Sequence, residues 1–397
     1  MTFTSSQAAL LPHMQDDEIW AHFRSGRRQF NTQGIAATLP AGPMVTLGER
    51  VRAFFAAKGA SGPDLLLGAL PFDGAQHDHL IQPQQVTENI EAPPVAADIE
   101  VPARWTVRSE PDAAGYGAMV ARALDVIAQS GASGLGKVVL ARRLLLEADR
   151  AIDSRAIAAR LGGDRSVTTF AMPLPPAADG TSRSLVGGTP ELLLAKTGRS
   201  IRSNPLAGSA RRQPDPQRDE AAAAELLASD KNRREHAAVV EAILDTLAPY
   251  CEELSAPKAP ALQSTASMWH LGTQIEGRLR DDSISGADLV AQLHPTPAVC
   301  GFPRDRAQRL IGELEPFERG FYAGAVGWVN GAGDGEWHIA LRCGEISGRK
   351  VTLYAGAGIV LGSDPMAEAA ETSAKFVALL QALGIDENGN ALPGGRA

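Results

Sequence analysis

Residues 351–384 read VTLYAGAGIVLGSDPMAEAAETSAKFVALLQALG. The run Val351–Ile359 has the composition of a β-strand, and Pro365–Leu383 has the spacing of an amphipathic helix. Asp364 is a good N-cap, proline fits the first helical position, and Gly384 follows the last turn. The apolar stripe of the helix consists of Phe376, Leu379, Leu380 and Leu383. The segment therefore predicts a strand followed by a well-capped helix.

A second face of this helix carries charge. Glu368, Glu371 and Lys375 are three and four residues apart, so they share one side of a helix. Asn232 and Glu235 form a similar face in the run SDKNRREH. One interpretation is that both faces are charged surfaces exposed to solvent. Alternatively, two acidic helices together supply the oxygen ligands that Mg2+ prefers.

Further elements are predicted on both sides of this segment. Strands are expected at Leu65–Leu70, Lys137–Ala148, Ser166–Met172, Glu191–Lys196, Ala325–Val329 and Glu336–Ile346. Helices are expected at Glu49–Lys58, Gly115–Gln129, Pro216–Tyr250, Gly286–Leu293 and Arg304–Leu314. The proline-containing stretch Gln82–Pro102 predicts a connector. Strands and long helices without strict alternation favour an α+β fold over a doubly wound sheet.

Composition excludes several classes of function. The net charge of −8 argues against nucleic acid or an anionic membrane as the main partner. No signal peptide and no apolar run of about 18 residues is found. The three cysteines are far apart and odd in number, which favours a reducing compartment. We therefore predict a cytoplasmic protein.

Three charged residues are candidates for chemistry. Arg342 falls among small residues on one face of the predicted strand Glu336–Ile346, where it could bind a carboxylate bidentately. An exposed arginine on a half-buried strand explains the pattern equally well. Lys137 and Glu191 are unremarkable singly, but in one closed site they could act as base and acid.

Read together, these segments resemble the chorismate-utilising enzymes, the family of anthranilate, aminodeoxychorismate, isochorismate and salicylate synthases. The matching runs, in the family's order, are GKVVLARR, GGTPELLL, SNPLAGSARR, ASDKNRREH, MWHLGTQIEG, HPTPAVCGFP, ELEPFERGFYAGAVGW, WHIALRCGEI and YAGAGIVLGSDP. They make residues 105–385 the family core and leave residues 1–100 less diagnostic.

The resemblance implies a single large α+β domain over residues 1–397, with stacked, mostly antiparallel sheets wrapped by helices. It implies Mg2+ bound by Glu235 and Glu371, with Glu368 reaching the ion directly or through water. The implied substrate-binding residues are Gly208, Ser209, His270, Thr296, Arg342, Gly356, Ala357, Gly358 and Lys375. The implied substrate is the dianion chorismate, and the chain is expected to be a monomer.

Within the family, Lys137 resembles the water-using members, whereas the ammonia-using anthranilate branch typically has glutamine there. The turn PLAGS has Ala207 where the aminodeoxychorismate branch often has a nucleophilic lysine. The resemblance therefore implies an isochorismate synthase for siderophore biosynthesis, with Lys137 as base and Glu191 as acid. It needs no glutamine amidotransferase partner.

Three alternatives remain open. A salicylate synthase shares the same base and acid but also eliminates pyruvate, and Val299 and Tyr322 in the ring pocket could tune this outcome. Anthranilate synthase component I and a non-catalytic chorismate-binding protein are the other two. Asn232 departs from the acidic residue common in the family at the outer part of the metal site.

Overall fold

The computed structural model describes residues 19–57, 62–88, 102–131 and 134–392. Part of the predicted connector Gln82–Pro102 lies outside these residues. Its first part is wrong as a connector, because residues 82–88 belong to a strand. Among the helices described, none is long and apolar enough to cross a membrane.

The described residues form twenty strands. In chain order they are β1 Trp20–Arg24, β2 Gln29–Thr38, β3 Leu66–Leu70, β4 His79–Glu88, β5 Trp105–Glu110, β6 Lys137–Ala148, β7 Thr168–Leu174, β8 Arg183–Thr189, β9 Leu192–Thr197, β10 Ser200–Asn204, β11 Leu206–Arg211, β12 Cys251–Ser255, β13 Ala261–Ser264, β14 Met268–Gly272, β15 Ile275–Leu279, β16 Gly301–Phe302, β17 Ala325–Val329, β18 Gly335–Ile339, β19 Cys343–Ser347 and β20 Lys350–Val360.

Eight α-helices lie among the same residues. They are α1 Leu47–Ala56, α2 Ala113–Gln129, α3 Ser154–Leu161, α4 Pro216–Ala228, α5 Asp230–Leu247, α6 Gly286–Leu293, α7 Arg304–Leu314 and α8 Pro365–Leu383. The bounds of α6, α7 and α8 are those predicted from the sequence. Asp364 caps α8 by accepting a hydrogen bond from the Ala367 amide, and Gly384 ends it in the left-handed conformation.

Antiparallel pairing organises the strands into two sheets. A 17-stranded sheet contains β6 paired with β5, β16 and β20. The long β6–β20 ladder runs from Lys137 opposite Val360 to Glu147 opposite Lys350. A second sheet of three strands has the order β11–β14–β13. Strands with this pairing and flanking helices confirm the α+β fold class.

The apolar faces of the helices cover the large sheet. Tyr116, Val120 and Ala123 of α2 lie in the main core with β6. The predicted stripe of α8 is buried in a second cluster, against Leu144 of β6 and Leu353 of β20. Helix α8 is therefore fixed on the β6–β20 ladder, and its charged face turns towards the end of that ladder.

The prediction of one continuous strand over Glu336–Ile346 is wrong. Strand β18 ends at Ile339 and β19 begins at Cys343, because Arg342 adopts a left-handed backbone with a φ of 47°. The two strands have different partners, β17 and β8. The strict alternation of faces therefore fails at residues 340–342.

The prediction of one helix over Pro216–Tyr250 is also wrong. Helix α4 ends before Ser229, which is extended and caps the next helix by accepting from the Asn232 amide. The serine hydroxyl satisfies a backbone donor that a continuous helix would satisfy internally. Helix α5 begins at Asp230 and packs on β11.

Candidate active site

A cavity of about 110 Å³ lies where α5, α8, β20 and the β11–β14 pair meet. It is lined by Val139, Pro190, Glu191, Leu206, Ala207, Gly208, Ser209, Lys231, Asn232, Glu235, His270, Ala298, Val299, Tyr322, Ala323, Leu341, Arg342, Gly356, Gly358, Glu368, Glu371 and Lys375. Residues far apart in the sequence thus surround one small volume. Most of the predicted site residues are among them.

Helix α8 contributes its charged face to the cavity. Lys375 Nζ lies 2.6 Å from Glu371 Oε1 and also donates to the Gly356 carbonyl at 2.8 Å. The Ser209 hydroxyl donates to Glu371 at 3.1 Å. Burial opposes the ionisation of Glu371, yet Lys375 and Ser209 hold its pKa below the ordinary value. The face is therefore a polar wall of the cavity and not a solvated surface.

Glu368 lies one turn before Glu371 and is almost fully buried. Burial raises its pKa, and the negative charge of Glu371 raises it further. Lys231 of α5 offsets part of this repulsion from 3.6 Å. Two neighbouring carboxylates in a poorly hydrated place indicate a position where a cation is favourable.

Lys137 begins β6 and reaches across to α5. Its Nζ lies 2.8 Å from Glu235 Oε1, and both side chains are largely buried. Gly358 of β20 permits this approach, because a Cβ there would lie 2.9 Å from both Glu235 Oε1 and Lys137 Cε. The structure thus joins the predicted base and a predicted metal ligand in one ion pair beside the cavity.

Glu191 occupies the short link between β8 and β9, and its backbone carbonyl accepts from the Ile339 amide at 3.1 Å. Its side chain is buried in the cavity wall. Burial raises its pKa to about 7, although a hydrogen bond from the Leu206 backbone and the charge of Lys137 act in the opposite direction. A carboxyl with this pKa carries a proton for a large fraction of the time near neutral pH, as a general acid requires.

Arg342 stands at the break between β18 and β19. The Gly188 amide donates to its carbonyl at 3.1 Å, which fixes the unusual backbone. Within the described part of the chain, its guanidinium has no hydrogen-bond or ion-pair partner, and burial lowers its pKa. A charge that is partly removed from water normally has a partner. An unpaired guanidinium in a cavity therefore indicates an anionic ligand.

His270 of β14 lies opposite Ser209 of β11. Burial lowers its pKa well below the ordinary value, and the charges of Arg342 and Lys375 add to this effect. Its Nε2 is buried without a partner in the described structure. A neutral imidazole with one unused nitrogen can accept from or donate to a bound molecule.

The predicted Gly208-Ser209 turn is a bulge within β11. The pairing with β14 shifts between Ala207 and Ser209, and Gly208 has a φ of 77°. Its Cα faces Asn232 closely, since a Cβ there would lie 3.1 Å from the asparagine Cβ. Asn232 lines the cavity.

Two predicted substrate-binding residues do not line the cavity. Ala357 points into the hydrophobic core, while its neighbours Gly356 and Gly358 face the cavity, as strand alternation requires. Thr296 is buried nearby, and its carbonyl accepts from the amides of Val299 and Cys300. Thr296 therefore shapes the turn that places Val299 in the cavity wall.

The cavity also contains residues that sequence reasoning did not assign. Pro190, Leu206 and Leu341 form apolar parts of its wall, and Lys231 brings a further cation. Lys231 could have been found, because it precedes Asn232 in a matching run. Val299 and Tyr322, predicted for the ring pocket, both line the cavity, and Tyr322 stacks on Tyr354 with centroids 4.9 Å apart.

The donor set suits a hard divalent cation, because Glu235, Glu368 and Glu371 place carboxylate oxygens around one cavity. In the described residues, no three acidic, histidine or cysteine side chains already form a group that could hold a metal ion. Glu235 and Glu371 instead bind Lys137 and Lys375. A bound cation would compete with these lysines for the carboxylates.

Comparison with known proteins gives a consistent result. The family model of the chorismate binding enzymes matches residues 73–384. Isochorismate synthase DhbC of Bacillus subtilis is 41% identical, with 83% of this chain and 82% of that protein aligned. A Mycobacterium tuberculosis protein assigned as isochorismate synthase MenF is 42% identical, over 88% of this chain and 95% of that protein.

A solved structure also matches closely. It is a Bacillus anthracis protein described as the 2,3-dihydroxybenzoate-specific isochorismate synthase DhbC. The TM-score is 0.87 at 36% identity, and the match covers 94% of this chain and 98% of that chain.

Proposed function

Because the chain belongs to the chorismate binding enzymes, we propose that it is an isochorismate synthase, an isomerase that converts chorismate to isochorismate. The similar proteins with 41% and 42% identity carry this activity in their names. The observation that carries the proposal is the Arg342 guanidinium, which has no partner among the residues described, in the same cavity as the protonatable carboxyl of Glu191. Together they provide an anion-binding group and an acid around one buried volume.

The substrate has two carboxylates, and the cavity offers cations for both. Arg342, with the backbone at Gly356 and Gly358, would hold the enolpyruvyl carboxylate. Lys375 and the Gly208-Ser209 bulge would lie near the ring carboxylate, and His270 would donate to or accept from the ring. These contacts concentrate positive charge inside a chain of net charge −8, which reconciles its acidity with a dianionic substrate.

The isomerisation exchanges one hydroxyl position for another. Lys137 takes a proton from a water molecule as the water oxygen bonds to C2 of chorismate. The double bonds shift, the C4–O bond breaks, and Glu191 donates its proton to the departing oxygen. Water is consumed and released, so the product has the mass of the substrate. Each proton transfer is worth about 100- to 10,000-fold in rate.

Mg2+ is part of the proposal, with Glu235 and Glu371 as ligands and Glu368 acting directly or through water. When bound, the ion would offset carboxylate charge and orient the ring. The three buried thiols, all unpaired, fit the proposed cytoplasmic location. Neither a glutamine amidotransferase nor ammonia enters this reaction.

The test is incubation of the purified protein with chorismate, with and without Mg2+, followed by separation and mass analysis of the products. A Mg2+-dependent isomer of unchanged mass is expected. Lys137→Ala and Glu191→Ala should abolish formation of this isomer. The control Lys258→Ala removes an exposed lysine that is distant in the sequence, and it should leave the activity unchanged. Salicylate with pyruvate, or no turnover at all, would contradict the proposal.

For the pathway, we propose siderophore biosynthesis. The support is the similarity to the 2,3-dihydroxybenzoate-specific structure. The relatives named DhbC and MenF are 41% and 42% identical to this chain. A deletion strain grown without iron should lose secreted dihydroxybenzoate and recover it when isochorismate synthase activity is restored. Loss of a quinone, with normal dihydroxybenzoate, would assign the enzyme to the other pathway.

A further inference from the structure

A second cavity of about 650 Å³ adjoins the catalytic one. It lies between α3, the turn joining β13 to β14, and the side of α8 that faces away from the β6–β20 core. Its apolar wall is formed by Leu161, Val167, Val377, Ala378 and Leu392. A cavity of this size that combines an apolar wall with convergent polar groups is typical of a small-molecule site.

Positive charge dominates the polar part of this second cavity. Arg211 at the end of β11 is exposed and has no hydrogen-bond or ion-pair partner among the described residues. Arg212 beside it is committed to Asp219 at 2.8 Å. Asp164 is the acidic residue of the wall, and its oxygens already accept from the amides of Ser166 and Ala266. Because four arginines and one aspartate line this cavity, its charge is positive.

Arg342 and Pro190 line both cavities. Arg342 thus stands between them, partly buried and with a guanidinium that has no hydrogen-bond or ion-pair partner among the described residues. A single guanidinium offsets one negative charge, so a carboxylate held from the second cavity weakens the hold on a carboxylate in the catalytic cavity. The two cavities are therefore coupled through this one side chain.

We propose that the second cavity is a binding site for a small aromatic carboxylate. The carboxylate contacts Arg342 and faces Arg211, and the ring packs on Val167, Val377 and Ala378. A molecule bound there competes for Arg342 without entering the catalytic cavity. The binding is independent of the proposed function, whereas the inhibition that follows from it rests on that function.

The test uses 2-naphthoate as the probe, because its two fused rings suit the larger cavity and its fluorescence reports burial. Saturable binding is expected for the wild-type protein, and 2-naphthamide, which has the same rings without the charge, should bind more weakly. Val167→Glu places a negative charge in the apolar wall, and Arg211→Gln removes the exposed cation. Each should weaken 2-naphthoate binding by about tenfold.

Two control variants separate this site from the rest of the molecule. Lys375→Gln alters the catalytic cavity alone, and Arg306→Gln removes an exposed arginine that lines neither cavity. Both should bind 2-naphthoate as the wild type does, with thermal melting used to show that every variant is folded. Absence of saturable binding, or binding that Lys375→Gln abolishes and Val167→Glu leaves intact, would overturn the proposal. Because binding is measured without chorismate, the result stands even if no isomerase activity is found.

Discussion

Replacing Glu191 by glutamine should make the protein more stable and nearly inactive. The carboxyl is buried, and its pKa is raised from 4.5 to about 7. Below about pH 4.5 it is protonated in both the folded and the unfolded chain, so its burial does not lower the free energy of unfolding. Above pH 7 it is ionised in both, and the folded state carries the whole cost of a buried charge. Glutamine has the same shape and never ionises.

The size of the gain follows from the shift. A rise from 4.5 to about 7 corresponds to about 3 kcal/mol, at about 1.4 kcal/mol for each unit. The stabilisation by Glu191→Gln should therefore be below about 1 kcal/mol near pH 5 and about 3 kcal/mol near pH 8. Activity should fall by about 100- to 10,000-fold, because the amide cannot donate the proton.

The assay is urea denaturation of both proteins at the two pH values, followed by tryptophan fluorescence. Glu220→Gln, the same chemical change at an exposed position of α4, is the matched control. In the wild type, kcat/KM should also decrease as the pH rises through about 7. A stability difference that is absent near pH 8, or that does not change with pH, would refute the argument that burial raises this pKa.

Three further substitutions test the site and its support. Arg342→Met should raise KM for chorismate by about tenfold or more without lowering the melting temperature, because it removes a partly buried charge that has no partner among the described residues. A lower melting temperature would indicate a structural role. Arg142→Met should destabilise the chain by about 2 to 4 kcal/mol in urea denaturation and reduce kcat. The reason is that the guanidinium donates to Thr372 at 2.7 Å and so joins β6 to α8. An unchanged kcat would show that α8 keeps its position without this hydrogen bond. Gly358→Ala should leave the fold intact by circular dichroism and reduce kcat severely, because the new Cβ meets Lys137 Cε at 2.9 Å. Normal turnover would mean that the Lys137–Glu235 ion pair can move without loss of activity.

Local sequence predicted most of the regular structure around the site. Strand Lys137–Ala148 and helix Pro365–Leu383 have the bounds expected from composition, periodicity and caps. The errors fell where one residue changes the direction of the chain. Arg342 takes a left-handed backbone that periodicity does not report, and Ser229 caps a new helix inside a continuous polar pattern.

The candidate residues were mostly placed together, but their sequence patterns did not establish this. The charged face of α8 allowed a solvated surface as well as a site, and the structure shows it lining the cavity beside Ser209. Thr296 and Ala357 belong to matching runs, yet their side chains do not line the cavity. Membership of a run identifies a segment, whereas the side that each residue faces depends on the packing.

The sequence by itself determined the family, the α+β class, the strong helices and strands, and the set of charged residues that could carry chemistry. These follow from the local preferences of the residues and from the matching runs, which this chain contains in the family's order. Only the tertiary structure decided which charges are buried and which are paired. Burial raises the pKa of Glu191 to about 7, and the break at residue 342 places between two cavities an arginine that has no partner in the described part of the chain. Both depend on desolvation by distant segments, which no local pattern encodes.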